Sequence, residues 1–141
     1  MKKDSKSNKK VIYYLDDSVF LLETFSFVAE MYDCEVVTYN DPFKFLNEIN
    51  IESHRDQILL VDFDFKLPNI DGIKLLEEMK AYDYAGFSSL YLFTGHELDQ
   101  EIIQRLRSFD SSRVSYLKKN NENFILLLEQ RLGLHSKDIA K

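Results

Sequence analysis

Long apolar runs are missing from this 141-residue chain. No stretch reaches eighteen apolar residues, so no segment is expected to span a membrane. The basic start MKKDSKSNKK has no apolar segment behind it that could serve as a signal peptide. Cysteine is nearly absent. Cys34 alone offers no disulfide partner; it fits a reducing cytoplasm and reads as a small core residue near a strand start. The three histidines, His54, His96 and His135, show no ligand-like spacing. Net positive charge is confined to the first ten residues, whose five lysines and one aspartate give +4. The whole chain carries −6, so the remainder carries −10. An acidic body argues against a nucleic-acid surface and is consistent with a cation site.

What remains is ordinary for one globular domain: 45% apolar and 30% charged residues. Strand-like apolar runs alternate with amphipathic helical stretches five times. The runs are Val11–Leu15, Glu35–Tyr39, Ile58–Phe63, Leu90–Phe93 and Val114–Leu117. The expected helices are Ser18–Tyr32, Pro42–Asn50, Asp71–Asp83, Leu98–Phe109 and Asn121–Leu132. Asp41-Pro42 and Asp71-Gly72 read as helix starts, and Gly133 as a stop. Strict alternation implies parallel strands with right-handed crossovers, and five units suit an open sheet of order 2-1-3-4-5 covered on both faces. Residues 1–9 read as a basic disordered tail, 10–133 as the domain and 134–141 as a C-terminal tail.

Such sheets bind ligands outside the carboxyl ends of their strands. Here the first strand ends in Asp16-Asp17, the third in Asp64, the fourth in Thr94, and the fifth runs into Lys118-Lys119. Clustered carboxylates repel unless one is protonated or a cation sits among them. All-oxygen ligands favour Mg2+ or a similar hard ion such as Mn2+. A carboxylate nucleophile, a divalent cation, a lysine and a hydroxyl are the parts needed to place a phosphoryl group on an aspartate.

From about Lys10 to Leu132 the chain resembles the receiver domain of two-component response regulators, a flavodoxin-like (βα)5 fold. The matching pieces are Asp16-Asp17, Asp64 with Leu67-Pro68 and Asp71-Gly72, Phe93-Thr94-Gly95, and Tyr116-Leu117-Lys118-Lys119. The resemblance implies that Asp64 accepts the phosphoryl group, since the family's acceptor lies four residues before the loop proline, here Pro68. It implies Mg2+ ligation by Asp17, by Asp16 through water, by Asp64 and by the Lys66 backbone carbonyl. Lys119 and Thr94 would contact the phosphoryl group. Thr94 and Tyr116 would form the switch that alters the surface of the fourth helix, fifth strand and fifth helix. A sensor histidine kinase or phosphotransfer protein would be the donor. The chain is expected as a stand-alone cytoplasmic receiver, not an enzyme beyond its own dephosphorylation. Another protein, or self-association through that surface, would read its state.

Four features depart from the family pattern, one being Asp110-Ser111-Ser112-Arg113 in place of the small residue that often precedes strand five. Asn120 follows the lysine where proline is usual, so a trans bond is expected there. Lys66 lies two residues past Asp64, either as a solvated loop lysine or as a group over the site. Apart from the family pattern, the apolar run Phe124–Leu128 exceeds one helical face and reads either as core with one partly covered residue or as a dimer or partner surface on the fifth helix. Asp62 stands two residues before Asp64, where the family has an aliphatic; a short third strand with Asp62 satisfied locally is the expectation. Two other functions fit parts of the pattern. One is a receiver-like interaction module that is never phosphorylated. The other is a haloacid-dehalogenase-like phosphatase with Asp62 as nucleophile and Asp64 as acid/base, although its acidic pair should come last in the chain.

Overall fold

The structure, a computed structural model, describes residues 10–49, 57–119 and 124–135. Five parallel strands, β1 (Lys10–Leu15), β2 (Cys34–Tyr39), β3 (Ile58–Val61), β4 (Ser89–Thr94) and β5 (Val114–Lys118), form one sheet in the order β2-β1-β3-β4-β5. The helices are α1 (Val19–Ala29), α2 (Pro42–Glu48), α3 (Gly72–Lys80), α4 (Gln100–Leu106) and α5 (Phe124–Leu126), the last continuing into a π turn, Leu127–Arg131. This is the order and layering that the βα alternation predicts.

Side chains alternate across the strands, so each strand feeds two cores. Ile12 and Tyr14 join Leu22 and Phe25 of α1 and Leu128 of the π turn. Leu15 and its neighbour Tyr13 face the other way, toward Phe45 of α2, Ile73 and Leu76 of α3, and Ile102 of α4. The central β3 is covered on both faces, and all four of its residues, Ile58 to Val61, are buried. Four helices start on side-chain caps that take an otherwise unpaired N–H: Ser18 from Leu21, Asp41 from Phe43, Asp71 from Lys74 and Asp99 from Ile102.

The differences from expectation are local. β3 ends at Val61, two residues before Phe63. α3 ends at Lys80, and the chain then makes a turn with positive φ at Asp83, Tyr84, Ala85 and Gly86. Left-handed backbone costs a non-glycine residue roughly 1–2 kcal/mol, and one side chain holds this turn. The Arg113 guanidinium donates to the Asp83 carboxylate at 2.8 Å and to the Phe87 carbonyl at 2.7 Å, and it lies 4.8 Å from the Tyr84 ring centre. At the other end, Leu134 is buried and its N–H donates to the Leu128 carbonyl at 2.8 Å, so the core extends past Gly133. The basic segment 1–9, His54, Asn120 and residues 136–141 lie outside the described residues.

Candidate functional site

The register of the central strands builds the site. Leu15 pairs with Val61, which brings the next residues, Asp16 and Asp62, side by side where β1 and β3 end. The ladder runs one step further: the Asp62 N–H donates to the Leu15 carbonyl at 2.9 Å and the Asp16 N–H to the Tyr39 carbonyl at 3.1 Å. Asp16, Asp17 and Asp62 each offer a carboxylate oxygen, and these oxygens lie within 4.8 Å of one another. Asp16 is 1% exposed and Asp62 8% exposed.

Buried carboxylates need donors. Asp16 Oδ2 accepts from the Tyr14 hydroxyl at 2.6 Å and from Lys119 Nζ at 2.7 Å, while its Oδ1 accepts from the Ser18 N–H at 2.9 Å. Asp62 is held less closely, with Lys119 Nζ 3.4 Å from its Oδ1. Burial is the main force on its acidity and pushes the Asp62 carboxyl up to about 6. The Asp16 charge adds to the rise, while Lys119 and the Phe63 N–H oppose it. Asp62 is therefore satisfied in part by a lysine from across the sheet, not only by local donors as expected.

The structure does not bring Asp64 to this group. β3 has already ended, so strand alternation no longer places Asp62 and Asp64 on one side. Asp64 is exposed, and its Oδ1 accepts from the Lys66 N–H at 2.8 Å in a loop turn, where Lys66 takes φ 62°. The Lys66 side is exposed as well. Asp71 is occupied as the α3 cap and by a two-pronged pair with Arg105 at 2.9 and 3.0 Å.

On the β4–β5 side, the two adjacent lysines part company. Lys119 turns to the acids, whereas Lys118 pairs with Glu97 at 2.6 Å. Thr94 is buried, and its Oγ1 accepts from the His96 N–H at 3.1 Å. The Tyr116 hydroxyl donates to the carbonyl of the same residue, His96, at 2.7 Å. The two expected switch residues thus hold one loop residue by both ends of its backbone.

Gly72 presses the site from below. A Cβ there would sit 2.3 Å from the Asp62 carbonyl oxygen and 2.9 Å from Leu92 Cδ1, and the Gly72 N–H donates to the Phe63 carbonyl at 2.8 Å. Counting back from Pro68 reaches Asp64 and not Asp62, which lies two residues further from Pro68. The signal lay in register: an acid directly after the apolar run Ile58–Val61, matching the acid directly after Val11–Leu15.

No family model and no curated protein matches the chain. Solved structures do. A receiver domain protein from Methanospirillum hungatei JF-1 superposes with a TM-score of 0.67 at 25% identity, over 88% of this chain and 91% of that one. The chain has a response-regulator receiver fold. The response regulator TrrA from Thermotoga maritima, solved in complex with Mg2+-BeF, gives 0.66 at 18% identity over 87% of this chain and 96% of its own. The response regulator StyR gives 0.66 at 22% identity, and this chain spans 59% of its length.

On this receiver fold, three carboxylates at the strand ends form an all-oxygen donor set that could hold a divalent cation. Hard oxygen donors of this kind suit Mg2+ or Mn2+ better than soft metals. Among the described residues no helix is long and apolar enough to cross a membrane.

Proposed function

We propose that the protein is a phosphoacceptor switch and that Asp62, in place of Asp64, is the acceptor. The convergence of Asp16, Asp17, Asp62 and Lys119 on one strand-end cluster carries this reading. An Asp62 carboxylate oxygen forms the new P–O bond as the P–N bond to a donor histidine breaks. The donor is a sensor histidine kinase or phosphotransfer protein. Lys119 lies within reach of Asp62 and supplies a compact positive charge for the incoming phosphoryl oxygens. Thr94 supplies a hydroxyl at the neighbouring strand end.

Mg2+ or Mn2+ would be held by Asp17 and Asp62, with Asp16 acting through water because three donors already engage its oxygens. When bound, the ion would neutralise charge that the acids and the phosphoryl group accumulate. By the same resemblance a third protein ligand would be a backbone carbonyl two residues past the acceptor, so moving the acceptor to Asp62 would move this role from Lys66 to Asp64.

Release of the His96 backbone by Thr94 and Tyr116 would carry the change to the surface of α4, β5 and α5. An effector protein, or a second copy, reads it there; the exposed Ile125 and Leu126 of α5 fit a contact of that kind. The fold and the site support a regulatory domain rather than a phosphatase. Asp64 is exposed and accepts from the N–H of Lys66 in its own loop, which favours this reading over an acid/base partnership with Asp62.

Intact mass after incubation with a small phosphodonor and Mg2+ tests the reading. The wild type and Asp64→Asn should each gain one phosphoryl group, and Asp62→Asn should gain none. The reverse pattern returns the acceptor to Asp64, and no gain in any protein leaves a silent interaction module.

A further inference from the structure

The proposed function uses Asp16, Asp17, Asp62 and Lys119 but not the tyrosine directly beneath them. Tyr14 is 0% exposed, and its ring is packed edge-on against Phe25 at 5.1 Å and tilted against Phe93 at 5.6 Å. A phenol so placed needs a partner for its hydroxyl, and the partner is Asp16 Oδ2 at 2.6 Å. Residues two apart on a strand face the same side, which is how position 14 reaches position 16.

The oxygen that Tyr14 touches is the one that Lys119 touches. Lys119 Nζ stands 2.7 Å from Asp16 Oδ2 and 3.4 Å from Asp62 Oδ1, so it rests on Asp16 with Asp62 as the second stop. Asp16 is almost wholly buried, and a buried carboxylate that loses its cation becomes costly unless another donor remains. If the ammonium crosses toward Asp62, Oδ1 keeps the Ser18 N–H and Oδ2 keeps only the Tyr14 hydroxyl.

We infer that Tyr14 is a positioning residue whose hydroxyl keeps Asp16 satisfied and correctly turned when Lys119 leaves it for the group carried on Asp62. It sets how readily the lysine is shared between the two carboxylates. This rests on the reading of Asp62 as acceptor only for the final destination of the lysine; the sharing itself is a property of the resting site. A phenylalanine at position 14 would keep the ring and its two aromatic contacts and remove only the donor. Lys119 would then be the sole side-chain donor on Asp16 Oδ2 and would be pinned there.

The test compares wild type, Tyr14→Phe and a packing control, Phe25→Leu, which disturbs the same aromatic cluster without touching the hydrogen bond. The first readout, on the protein without added ions, is solvent exchange of the Lys119 ammonium protons by NMR, assigned with Lys119→Arg. Exchange should slow at least threefold in Tyr14→Phe and not in Phe25→Leu. The second is the shift of the same signal on adding Mg2+ with beryllium fluoride as a phosphoryl mimic. That shift should be present in wild type and require at least tenfold more of the mimic in Tyr14→Phe. Unchanged exchange in Tyr14→Phe, or the same slowing in Phe25→Leu, overturns the role of Tyr14. Slowed exchange with no response of the wild type to the mimic keeps that role and removes the phosphoacceptor reading instead.

Discussion

Asp62 is a carboxyl whose environment favours its proton, and that has a consequence for stability. Its ordinary value is 3.8, and burial first, then the Asp16 charge, raises it to about 6 in the fold. The folded state therefore binds this proton more tightly than the unfolded chain does. The stabilisation is complete below pH ~4 and is lost as the pH rises through ~6. Above that range the ionised Asp62 is a burden. In urea unfolding at neutral pH without divalent cations, Asp62→Asn should be more stable than wild type by about 3 kcal/mol. The difference should shrink toward zero by pH ~4. A difference that stays flat across this range would show that the carboxyl is not perturbed. The residue was visible in the sequence as an anomaly, but its role was not. Counting from Pro68 selects Asp64, whereas the proposal of Asp62 rests on burial and the distant Lys119, and neither burial nor a partner 57 residues away can be counted along a chain.

At the scale of elements, α3 and β3 meet where Gly72 presses on the backbone of Asp62, so the helix start helps define where the acid stands. Gly72→Ala must push its methyl into the Asp62 carbonyl, or move one of the two elements. Overpacking of this kind costs about 1–3 kcal/mol. The same substitution should slow phosphodonor loading, because the displaced backbone is that of the proposed acceptor. Gly95→Ala is the natural comparison, since its nearest neighbour would be the Lys119 carbonyl oxygen at 3.8 Å. Equal stability of the two variants by thermal unfolding would refute the close approach. Asp71-Gly72 was legible as a cap and helix start. The packing reason for the glycine was not, because it depends on β3 stopping at Val61. Helix ends were the least legible part: nothing in Asp83-Tyr84-Ala85-Gly86 announces a left-handed turn, which depends on Arg113 reaching it from thirty residues away.

For the molecule as a whole, strand order and the two-sided core followed from βα alternation, since parallel strands with right-handed crossovers leave few arrangements open. A ligand that binds only the folded form adds stability by mass action, about 2.7 kcal/mol at a hundred times its dissociation constant. Mg2+ should therefore raise the unfolding midpoint of the wild type in proportion to the logarithm of its concentration. Asp17→Asn should lose most of that rise, and potassium at matched ionic strength should not reproduce it. A rise that persists in Asp17→Asn would place the cation elsewhere. Asp16 and Asp62 stand as consecutive rungs would stand, each tied by its N–H into the ladder of a neighbouring strand. Their separation is then governed by the roughly 4.8 Å pitch that every sheet shares. The gauge of the carboxylate cluster belongs to the backbone: the two cores can be refilled by mutation without widening it, and only a slip of β1 against β3 would change it.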